Sequence, residues 1–328
     1  MATLTVAQAE SLVARALVRC RTSELNAAVV ARALVAAEAD GLKGHGLSRV
    51  PTYAAQAKTG KVNGFATPAV ERRRSGAAVV DAAHGFAFPA IEAALALLPA
   101  MARDAGVASA AIHRSHHCGA AGHPVERLAE RGLVAMMFAN TPAAIAPWGA
   151  AKPVFGTNPV AFACPLSGRP PVVIDLALSK TARGKILAAK QKGERIPEGW
   201  ALDADGQPTT DPDAALAGTM LPLGDAKGTA LVLMVELLAA GLTGANFATD
   251  ASSFLDDKGP PPGTGQLIIA FDPAAFGGSG AHFARLIGAI EEQEGARLPG
   301  SRRLAARRKA ASEGLQLSDA LLKDIETL

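Results

Sequence analysis

The stretch VASAAIHRSHHCGAAGHPVERLAER, residues 107–131, contains three kinds of local structure and is the starting point for predicting the fold. The apolar residues 107–112 are typical of a buried β-strand, and residues 124–131 are typical of a short helix. Between them, Gly119 and Gly122 favour a tight turn. The sequence therefore predicts a strand, a histidine-rich turn and a helix in succession.

Four of the seven histidines of the chain lie in this stretch, namely His113, His116, His117 and His123. Imidazole gains or loses a proton near neutral pH, and it is also a common metal ligand. A zinc site needs a complete ligand set, and no nearby carboxylate or second cysteine accompanies Cys118. We therefore expect no metal, and a zinc-dependent hydrolase built on residues 113–123 is kept as an alternative.

Helices are predicted at both ends of the chain, around a strand-rich middle. Thr5 and Gln8 have the spacing of a capping box, and Ser23 is a suitable cap for a second helix. This arrangement predicts an α+β fold in which the two termini pack together. The predicted domains are a helical domain of residues 1–75 with 298–328, and a second domain of residues 76–297.

The middle of the chain alternates between strand and helix patterns. Pro99 is expected to kink or divide the helix at 89–105, because proline lacks the amide hydrogen that a helix interior uses. The helix at 227–242 is the most apolar and is expected to be buried. The other predicted elements are strands at 77–81, 133–139, 159–164, 171–175 and 267–271, and a helix at 181–192.

Composition excludes several functional classes. The net charge is only +3 and aromatic residues make up 4% of the chain, so platforms for stacking nucleic-acid bases are not expected. Glu10 interrupts the N-terminal segment, which does not resemble a signal peptide, and the uncharged residues 132–151 contain prolines that argue against a membrane helix. Three scattered cysteines fit a reducing compartment. We expect a cytoplasmic protein that binds neither nucleic acid nor membrane.

Known dinucleotide and phosphate motifs are absent from the sequence, including the glycine fingerprint of the Rossmann fold. Other motifs occur in a fixed order: GHGLSR (44–49), SHHCGAAGH (115–123), NTPAAIAPWGAAKPVFGTNPVAF (140–162), VIDLALSKTARGK (173–185), GDAKG (224–228) and LPGSRR (298–303). With these motifs the chain resembles the type-2 malate/L-lactate dehydrogenase family over nearly its whole length. That family includes sulfolactate and ureidoglycolate oxidoreductases and reductases of cyclic imino acids.

The resemblance implies an NAD(P)-dependent oxidoreductase acting on a small carboxylate substrate, and a homodimer. It also implies a non-Rossmann cofactor domain with a largely antiparallel sheet, beside a helical domain built from both termini. A non-catalytic member of the family is a further alternative.

The resemblance also implies roles for individual residues. His45 would be the proton donor, because hydride addition to a carbonyl leaves an alkoxide that an imidazolium neutralises. Arg49 with Thr157 would bind the substrate carboxylate, which a guanidinium matches in shape and charge. His117 would bind the substrate or act as the acid/base itself, and the sequence leaves the choice between His45 and His117 open.

The cofactor, NADH or NADPH, is expected against five segments, where small residues let the backbone approach a dinucleotide. Arg302 or Arg303 beside a 2′-phosphate would favour NADPH. The residues implied are Cys118, Gly119, Ala120, Ala121 and Gly122; Asn140 and Thr141; Asp175, Leu176, Ala177 and Arg183; Lys227 and Gly228; and Gly300, Ser301, Arg302 and Arg303.

The substrate is left open between two chemical types. One is a 2-oxo or 2-hydroxy acid such as malate or lactate. The other is a cyclic imino acid such as Δ1-piperideine-2-carboxylate or Δ1-pyrroline-2-carboxylate. Gly44 and Lys185 stand where imine reductases of the family carry Ser and Asp of a proposed proton relay, and both departures favour an oxo acid. The substrate side chain and the physiological direction are not predicted.

Overall fold

The computed structural model describes residues 2–328, and its N-terminal part is mainly helical. Thr5 and Gln8 form the predicted capping box at the first helix, and Ser23 accepts the amide of Asn26 at the second. The loop GLKGHGLSR that follows forms two short 3₁₀ turns. The elements are β1 (Ala2–Leu4), α1 (Val6–Arg19), α2 (Glu24–Ala39), 3₁₀ turns at Lys43–His45 and Leu47–Arg49, and α3 (Val50–Thr59).

The middle of the chain contains most of the strands, and the predicted strand–turn–helix at residues 107–131 is confirmed. A strand at residues 69–74 was not predicted. The elements are β2 (Ala69–Arg74), β3 (Ala77–Asp81), α4 (Ala87–Ala105), β4 (Val107–Ser115), α5 (Gly122–Ala129), β5 (Val134–Ala139), β6 (Val160–Leu166) and β7 (Arg169–Leu176).

The remainder alternates between helices and short strands, and ends in helices. The elements are α6 (Arg183–Lys192), β8 (Ala201–Leu202), β9 (Pro208–Thr209), α7 (Pro212–Ala217), β10 (Thr219–Met220), α8 (Asp225–Glu236), a π-helical turn (Leu237–Gly241), β11 (Thr264–Phe271), a 3₁₀ turn (Pro273–Phe276), α9 (Gly280–Glu291), α10 (Ser301–Glu313), β12 (Leu315–Leu317) and α11 (Asp319–Glu326).

Within residues 2–328, seven strands form a sheet in the order β2-β3-β4-β11-β5-β6-β7. β3 pairs with β4 in parallel, and every other neighbouring pair of this sheet is antiparallel. This agrees with the expectation of a largely antiparallel sheet. Because β2 is its edge strand, the sheet begins before the predicted boundary at residue 75.

Helices cover both faces of this sheet. In β11, Ile268 and Ala270 pack with α4 and α5 on one face, whereas Leu267 packs with Val232 and Val235 of α8 on the other. Side chains of a strand alternate between faces, so a strand covered on both sides is apolar throughout. The histidine turn lies at the end of β4, beside this central strand.

The two ends of the chain share a core. Apolar side chains of α1, α2 and α3 pack with Ala310, Leu315, Leu317 and Ile325. β1 pairs with β12 in antiparallel register, with Ala2 opposite Leu317. The C-terminal segment therefore supports the helices that carry the GHGLSR loop.

Of the two effects expected of Pro99, a kink or a division of the helix, the division does not occur, because α4 continues from Ala87 to Ala105. A proline at position 99 leaves the carbonyl of Leu95 without its usual helical donor. The guanidinium of Arg131 donates to that carbonyl at 3.1 Å. The lost backbone hydrogen bond is thus replaced by a side chain from the turn that follows α5.

The expectation that the apolar helix at 227–242 is buried is wrong for the single chain. Val232 and Val235 are buried, but Leu237 is 54% exposed and Leu242 is 65% exposed. Leu231 and Met234 are exposed on the same helix. No helix in the described part of the chain, residues 2–328, is both long and apolar enough to cross a membrane.

Candidate active site

The structure brings together the two histidines that the sequence singled out for proton chemistry. His45 ends the first 3₁₀ turn after α2, and His117 lies two residues beyond β4. Their rings stack at a centroid distance of 5.3 Å and an interplanar angle of 14°. A substrate group near this pair can therefore contact imidazoles from two separate segments of the chain.

The loop that carries His45 is held against α2 by Glu38. One carboxylate oxygen of the buried Glu38 accepts the amide of Leu47 at 2.9 Å, and the other binds the ammonium of Lys43. A Cβ at Gly46 would lie 3.0 Å from the backbone of Glu38. Only glycine allows this approach, so Gly46 and Glu38 together fix the position of His45.

Tyr53 of α3 lies beneath the histidine pair and was not identified from the sequence. Its hydroxyl is 2.6 Å from Nδ1 of His117. Tyr53 is fully buried, and its ring packs against His116, Phe86 and Phe88. It is the only tyrosine of the chain, which is the one signal that could have drawn attention to it.

The electrostatics of the site favour neutral imidazoles. Burial, followed by the charge of Arg49, lowers the pKa of His45 to about 4. Burial lowers the pKa of His117 well below its usual range, and the charges of Arg49 and His45 add to this effect. Both histidines are therefore neutral at pH 7 in the free protein, and Arg49 lies close enough to influence both.

His116 packs beside the histidine pair, and neither of its ring nitrogens has a hydrogen-bond partner among the described residues. It is buried, and burial lowers its pKa to about 3. Its ring lies 5.1 Å from that of Phe254, which also covers His117 at 5.2 Å. The loop that carries Phe254 is held by Gln56 and Lys61, whose side chains donate to the carbonyls of residues 253–256.

Three predicted cofactor segments converge at the start of α5. The amide of Gly122 donates to the carboxylate of Asp175 at 2.8 Å, which joins the histidine turn to the end of β7. A Cβ at Gly119 would lie 2.9 Å from the ring of Phe88. Gly300, with φ +80°, lies against the carbonyl of Val173. The amide of Gly122, one of the residues predicted to contact the cofactor, is thus already bound by the side chain of Asp175.

Arg303, predicted near the cofactor, is committed to carboxylates of the protein. Its guanidinium donates to Glu126 at 2.6 and 3.0 Å and to Asp40 at 3.2 Å. Arg307 binds the same two carboxylates, and Nε2 of His123 lies 2.9 Å from Asp40. Of the two arginines suggested for a 2′-phosphate, Arg303 is thus already paired, whereas Arg302 is exposed.

This ion-pair network explains the charge state of Asp40. Its side chain has no exposed surface. Burial alone would raise the pKa of Asp40, but hydrogen bonds from Arg307 and His123 hold it well below its usual range. Because Asp40 follows α2, His123 and Glu126 belong to α5, and Arg303 and Arg307 to α10, the network joins the helical part to the sheet.

Thr157 and Thr141, predicted for substrate and cofactor, lie side by side. The amide of Thr157 donates to the hydroxyl of Thr141 at 2.9 Å. A Cβ at Gly156 would lie 2.2 Å from the carbonyl of Thr141, so glycine is required there. The carbonyl of Thr157 accepts the amide of Leu178, two residues beyond β7.

Asn140 is used by the protein itself. It is buried, its amide nitrogen donates to Glu236 and to the carbonyl of Asn246, and its oxygen accepts the amide of Gly265. Both polar atoms of its side chain therefore already have partners within the protein. Glu236, which also accepts from Asn158, was not singled out from the sequence because it lies within an apolar helix pattern.

The remaining predicted residues lie around this region. Leu223 donates its amide to the carbonyl of Leu178, which places the start of α8 beside the end of β7. A Cβ at Gly228 would lie 1.5 Å from the carbonyl of Leu223, so only glycine fits. The exposed residues nearby are Leu176, Ala177, Arg183, Lys185 and Lys227.

Two buried hydroxyls, in the motifs at residues 173–185 and 298–303, have no hydrogen-bond partner among the described residues. They are Thr181 Oγ1, after β7, and Ser301 Oγ, at the start of α10. A buried hydroxyl without a partner carries a free-energy cost. These two hydroxyls are therefore free to bind a polar ligand.

The histidines of residues 113–123 do not converge on a common point. His116 and His117 pack inward among aromatic rings, whereas His123 binds Asp40. In the described residues, no group of three or more His, Cys, Asp or Glu side chains is placed to hold a metal ion. The geometry thus gives no support to a zinc hydrolase.

A cavity of about 600 Å³ lies between α2 and α5, on the other side of the histidine turn. Its walls include Val29, Ile91, Cys118 and Arg127. Neither His45 nor His117 belongs to the described residues that line it. This cavity is therefore separate from the stacked histidines.

Comparisons with known proteins extend over nearly the whole chain. The family model described as malate/L-lactate dehydrogenase matches residues 4–326. A (2R)-3-sulfolactate dehydrogenase (NADP(+)) of Chromohalobacter salexigens is 53% identical over 324 residues, which cover 98% of this chain and 96% of that protein. A Δ1-pyrroline-2-carboxylate/Δ1-piperideine-2-carboxylate reductase of Pseudomonas putida is 44% identical over 315 residues, with coverages of 93% and 91%.

A solved structure shows the same fold. The crystal structure of Δ1-piperideine-2-carboxylate reductase from Pseudomonas syringae pvar. tomato aligns with a TM-score of 0.94 at 40% identity. The alignment covers 100% of this chain and 99% of that chain.

Proposed function

Because the chain belongs to the malate/L-lactate dehydrogenase family, we propose that it transfers a hydride between a nicotinamide cofactor and C2 of a small carboxylate-bearing substrate. The observation that carries this proposal is that His45 and His117 stack on each other close to Arg49, whose positive charge lowers the pKa of His45. An acid/base and a carboxylate-binding cation are the groups that such a reaction needs from the protein.

His45 is the proposed proton donor and acceptor. During reduction, hydride addition turns the carbonyl oxygen on C2 into an alkoxide, which the imidazolium of His45 protonates. During oxidation, its neutral imidazole removes the proton from the hydroxyl group on C2. Arg49 and Thr157 bind the substrate carboxylate. A carboxylate on Arg49 offsets the charge that lowers the pKa of His45, so substrate binding itself favours the protonated acid.

The cofactor is proposed to bind along the histidine turn, the end of β7, the start of α8 and the start of α10. When bound, the nicotinamide supplies or accepts the hydride. Thr181 and Ser301 offer buried hydroxyls there, and Arg302 offers an exposed cation for a 2′-phosphate. The sulfolactate dehydrogenase relative is NADP(+)-dependent by name, which supports a preference for NADPH.

The cofactor site proposed here does not belong to a Rossmann fold. The sheet is antiparallel except at β3/β4, and the sequence has no glycine fingerprint. We propose that residues 76–297 with β2 form the cofactor- and substrate-binding part. The helical part from both termini supplies His45 and Arg49.

A 2-oxo or 2-hydroxy acid is the proposed substrate class. Gly44 lacks the hydroxyl of the imine relay, and the nearby Ser48 does not replace it, because its hydroxyl donates to the carbonyl of Lys43. Lys185 supplies a cation where that relay has an acid. The relative with 53% identity acts on (2R)-3-sulfolactate, which suggests a substrate with a second anionic group.

Cyclic imino acids are the second candidate class. The relative that is 44% identical and the aligned crystal structure are both reductases of such compounds by name. A protonated imine is already electrophilic, so it requires less assistance from a protein acid.

The decisive experiment is a substrate panel assayed with both NADPH and NADH. The panel contains 3-sulfolactate, malate, lactate, Δ1-pyrroline-2-carboxylate and Δ1-piperideine-2-carboxylate. We expect turnover of at least one of these compounds, and a loss of about 10²-fold or more in His45→Asn with cofactor binding retained. No turnover of any panel member together with no cofactor binding would contradict the proposal.

A homodimer is proposed from the apolar face of α8 and of the π-helical turn that continues it. Leu231, Met234 and Leu237 are spaced by three residues and exposed, and Leu242 is exposed beyond the π-helical turn. Contiguous apolar surface on one face of a helix is typical of an interface. A second copy of the chain, related by a two-fold axis, would cover this surface on both protomers.

A further inference from the structure

We propose that Tyr53 is a positioning residue that holds His117 as the neutral tautomer protonated at Nε2. His117 then donates a hydrogen bond to the substrate, and His45 alone transfers the proton. This inference rests on the proposed function and deepens it, because it assigns different tasks to the two stacked histidines.

The hydroxyl of Tyr53 is placed to make a single hydrogen bond, to His117. Oη lies 2.6 Å from Nδ1 of His117, and this is its one hydrogen-bond partner among the described residues. The surroundings are rings, with Phe86 at 5.5 Å and His116 at 5.4 Å between centroids. Burial also raises the pKa of Tyr53, so the phenol keeps its proton.

The direction of this hydrogen bond follows from the need to satisfy both groups. If Nδ1 of His117 carried the proton, it would donate to Tyr53 and leave the phenolic proton buried without an acceptor. An unsatisfied buried donor is costly, whereas the opposite arrangement satisfies both atoms. Tyr53 therefore donates to Nδ1, and the ring proton of neutral His117 is on Nε2.

A doubly protonated His117 is disfavoured by its surroundings. The ring is buried, and Arg49, His45 and His116 all act against a positive charge there. In the stacked pair at 5.3 Å, a charge on one ring opposes a charge on the other. At most one of the two rings can therefore be an imidazolium at a time, and that ring is His45, which is less buried than His117.

This assignment fixes where the proton goes during the reaction. The Nδ1 lone pair of His117 is taken by Tyr53, and its Nε2 already carries hydrogen, so His117 cannot accept a proton from a hydroxy acid at Nε2. Giving up that hydrogen would leave a buried imidazolate. In reduction, the proton on the product oxygen comes from His45, and the hydrogen on His117 stays in place.

A nitrogen NMR experiment tests the tautomer directly. Protein labelled with ¹⁵N-histidine gives ring signals that distinguish Nδ1–H from Nε2–H, and a His117→Gln variant identifies the signals of His117. We expect the Nε2–H form, unchanged between about pH 5 and pH 8. A Nδ1–H form, or a titration of His117 within that interval, would overturn the proposal.

Kinetics test the consequence for catalysis. Tyr53→Phe keeps the ring and removes the hydroxyl, and we expect kcat/KM for reduction to fall about tenfold, as for loss of one hydrogen bond. The pH dependence of kcat/KM in this variant should still show the ionisation of His45, as in the wild type. Thr243→Val, which removes a buried hydroxyl that donates to the carbonyl of Ala239, is the matched control and should leave kcat/KM unchanged.

The two histidines are separated by their pH profiles. We expect His117→Asn to lower kcat and retain the ionisation seen in the wild-type profile, whereas His45→Asn should abolish that ionisation. The reverse pattern would overturn the proposal. Because the NMR spectrum requires no turnover, failure of the tautomer assignment and failure of the proposed function give different results.

Discussion

In the proposed function, Arg49 has two opposite effects on catalysis, which substitutions can separate. It binds the carboxylate in the proposed function, and its charge lowers the pKa of His45, after the larger effect of burial. A pKa of about 4 means that little imidazolium is present at neutral pH, so the rate of reduction should rise as pH falls.

Replacing Arg49 with a neutral residue should therefore move the pH profile. In Arg49→Gln we expect KM to rise and the ionisation in kcat/KM for reduction to shift to higher pH, because a cation near His45 is lost. Arg49→Lys keeps the charge and loses the two-point contact, so it should raise KM without that shift. Identical profiles for the two variants would refute this role of Arg49.

Gly44 offers a test of substrate class. A Cβ at Gly44 would have no atom within 4 Å, so a serine fits without strain from neighbours. We expect Gly44→Ser to raise the ratio of kcat/KM for a cyclic imine to kcat/KM for an oxo acid, by supplying the relay hydroxyl. Gly44→Ala is the control, and an equal change in both variants would show that the hydroxyl is not responsible.

At the scale of residues, the sequence predicted those site residues that belong to short local motifs. His45 and His117 were singled out from short motifs, and the structure stacks them. Tyr53, Glu38 and Glu236 were missed, because each sits inside a helix pattern and acts on a residue distant in sequence or in another element. A hydrogen bond such as Tyr53 to His117, 64 residues apart, has no signature in one sequence.

At the scale of elements, the Asp40 network joins α2, α5 and α10, and breaking it should cost stability. Asp40 is fully buried and is contacted by Arg303, Arg307 and His123. Removing one partner of a buried ion pair leaves uncompensated charge and costs roughly 3–5 kcal/mol. We expect Asp40→Asn to lower the thermal midpoint clearly.

An exposed ion pair provides the control for this prediction. Asp104 lies 3.4 Å from Arg72, and both side chains are mostly exposed. Pairs of this kind contribute little to stability. A fall in the thermal midpoint of Asp104→Asn equal to that of Asp40→Asn would contradict the importance given to the buried network.

Helices and strands with clear local signals were predicted correctly, and others were not. The capping residues Thr5 and Ser23 act as expected. β2 was missed because all six of its residues are exposed, so its sequence AVERRR shows no apolar alternation. β1 and β12 are three residues each and pair across the chain, which no local pattern indicates.

At the scale of the whole molecule, the buried histidines make stability depend on pH. The pKa values of His45 and His116 are about 4 and about 3, whereas an unfolded histidine has a pKa of 6.5. As pH falls below 6.5, the unfolded chain binds more protons than the folded one, and stability decreases.

The effect should be measurable as a fall in the thermal midpoint between pH 7 and about pH 5. Each of these two histidines should lower the free energy of unfolding of the protein by about 2 kcal/mol at pH 5, since one pKa unit corresponds to about 1.4 kcal/mol. The variant His116→Phe should show a smaller pH dependence. An unchanged midpoint across this interval would show that the two histidines are not buried in the neutral form.

The proposed dimer is also tested on the whole molecule. Light scattering after size-exclusion chromatography should give twice the mass of one chain, and Leu231→Glu with Leu237→Glu should reduce it to the mass of one chain. Leu25→Glu, at a leucine that is 77% exposed on α2, is the control and should leave the mass unchanged. A wild-type mass of one chain would contradict the dimer.

The pairing of β1 with β12 has a consequence for synthesis on the ribosome. The partner of β1, residues 315–317, is synthesised more than 300 residues after β1 itself. Contacts between such distant segments form slowly, and a domain completed by them must wait until residues 315–317 have been translated. The helices on either side of the His45 loop therefore depend on β12 for their core, and a transcript truncated before codon 315 should yield protein prone to proteolysis.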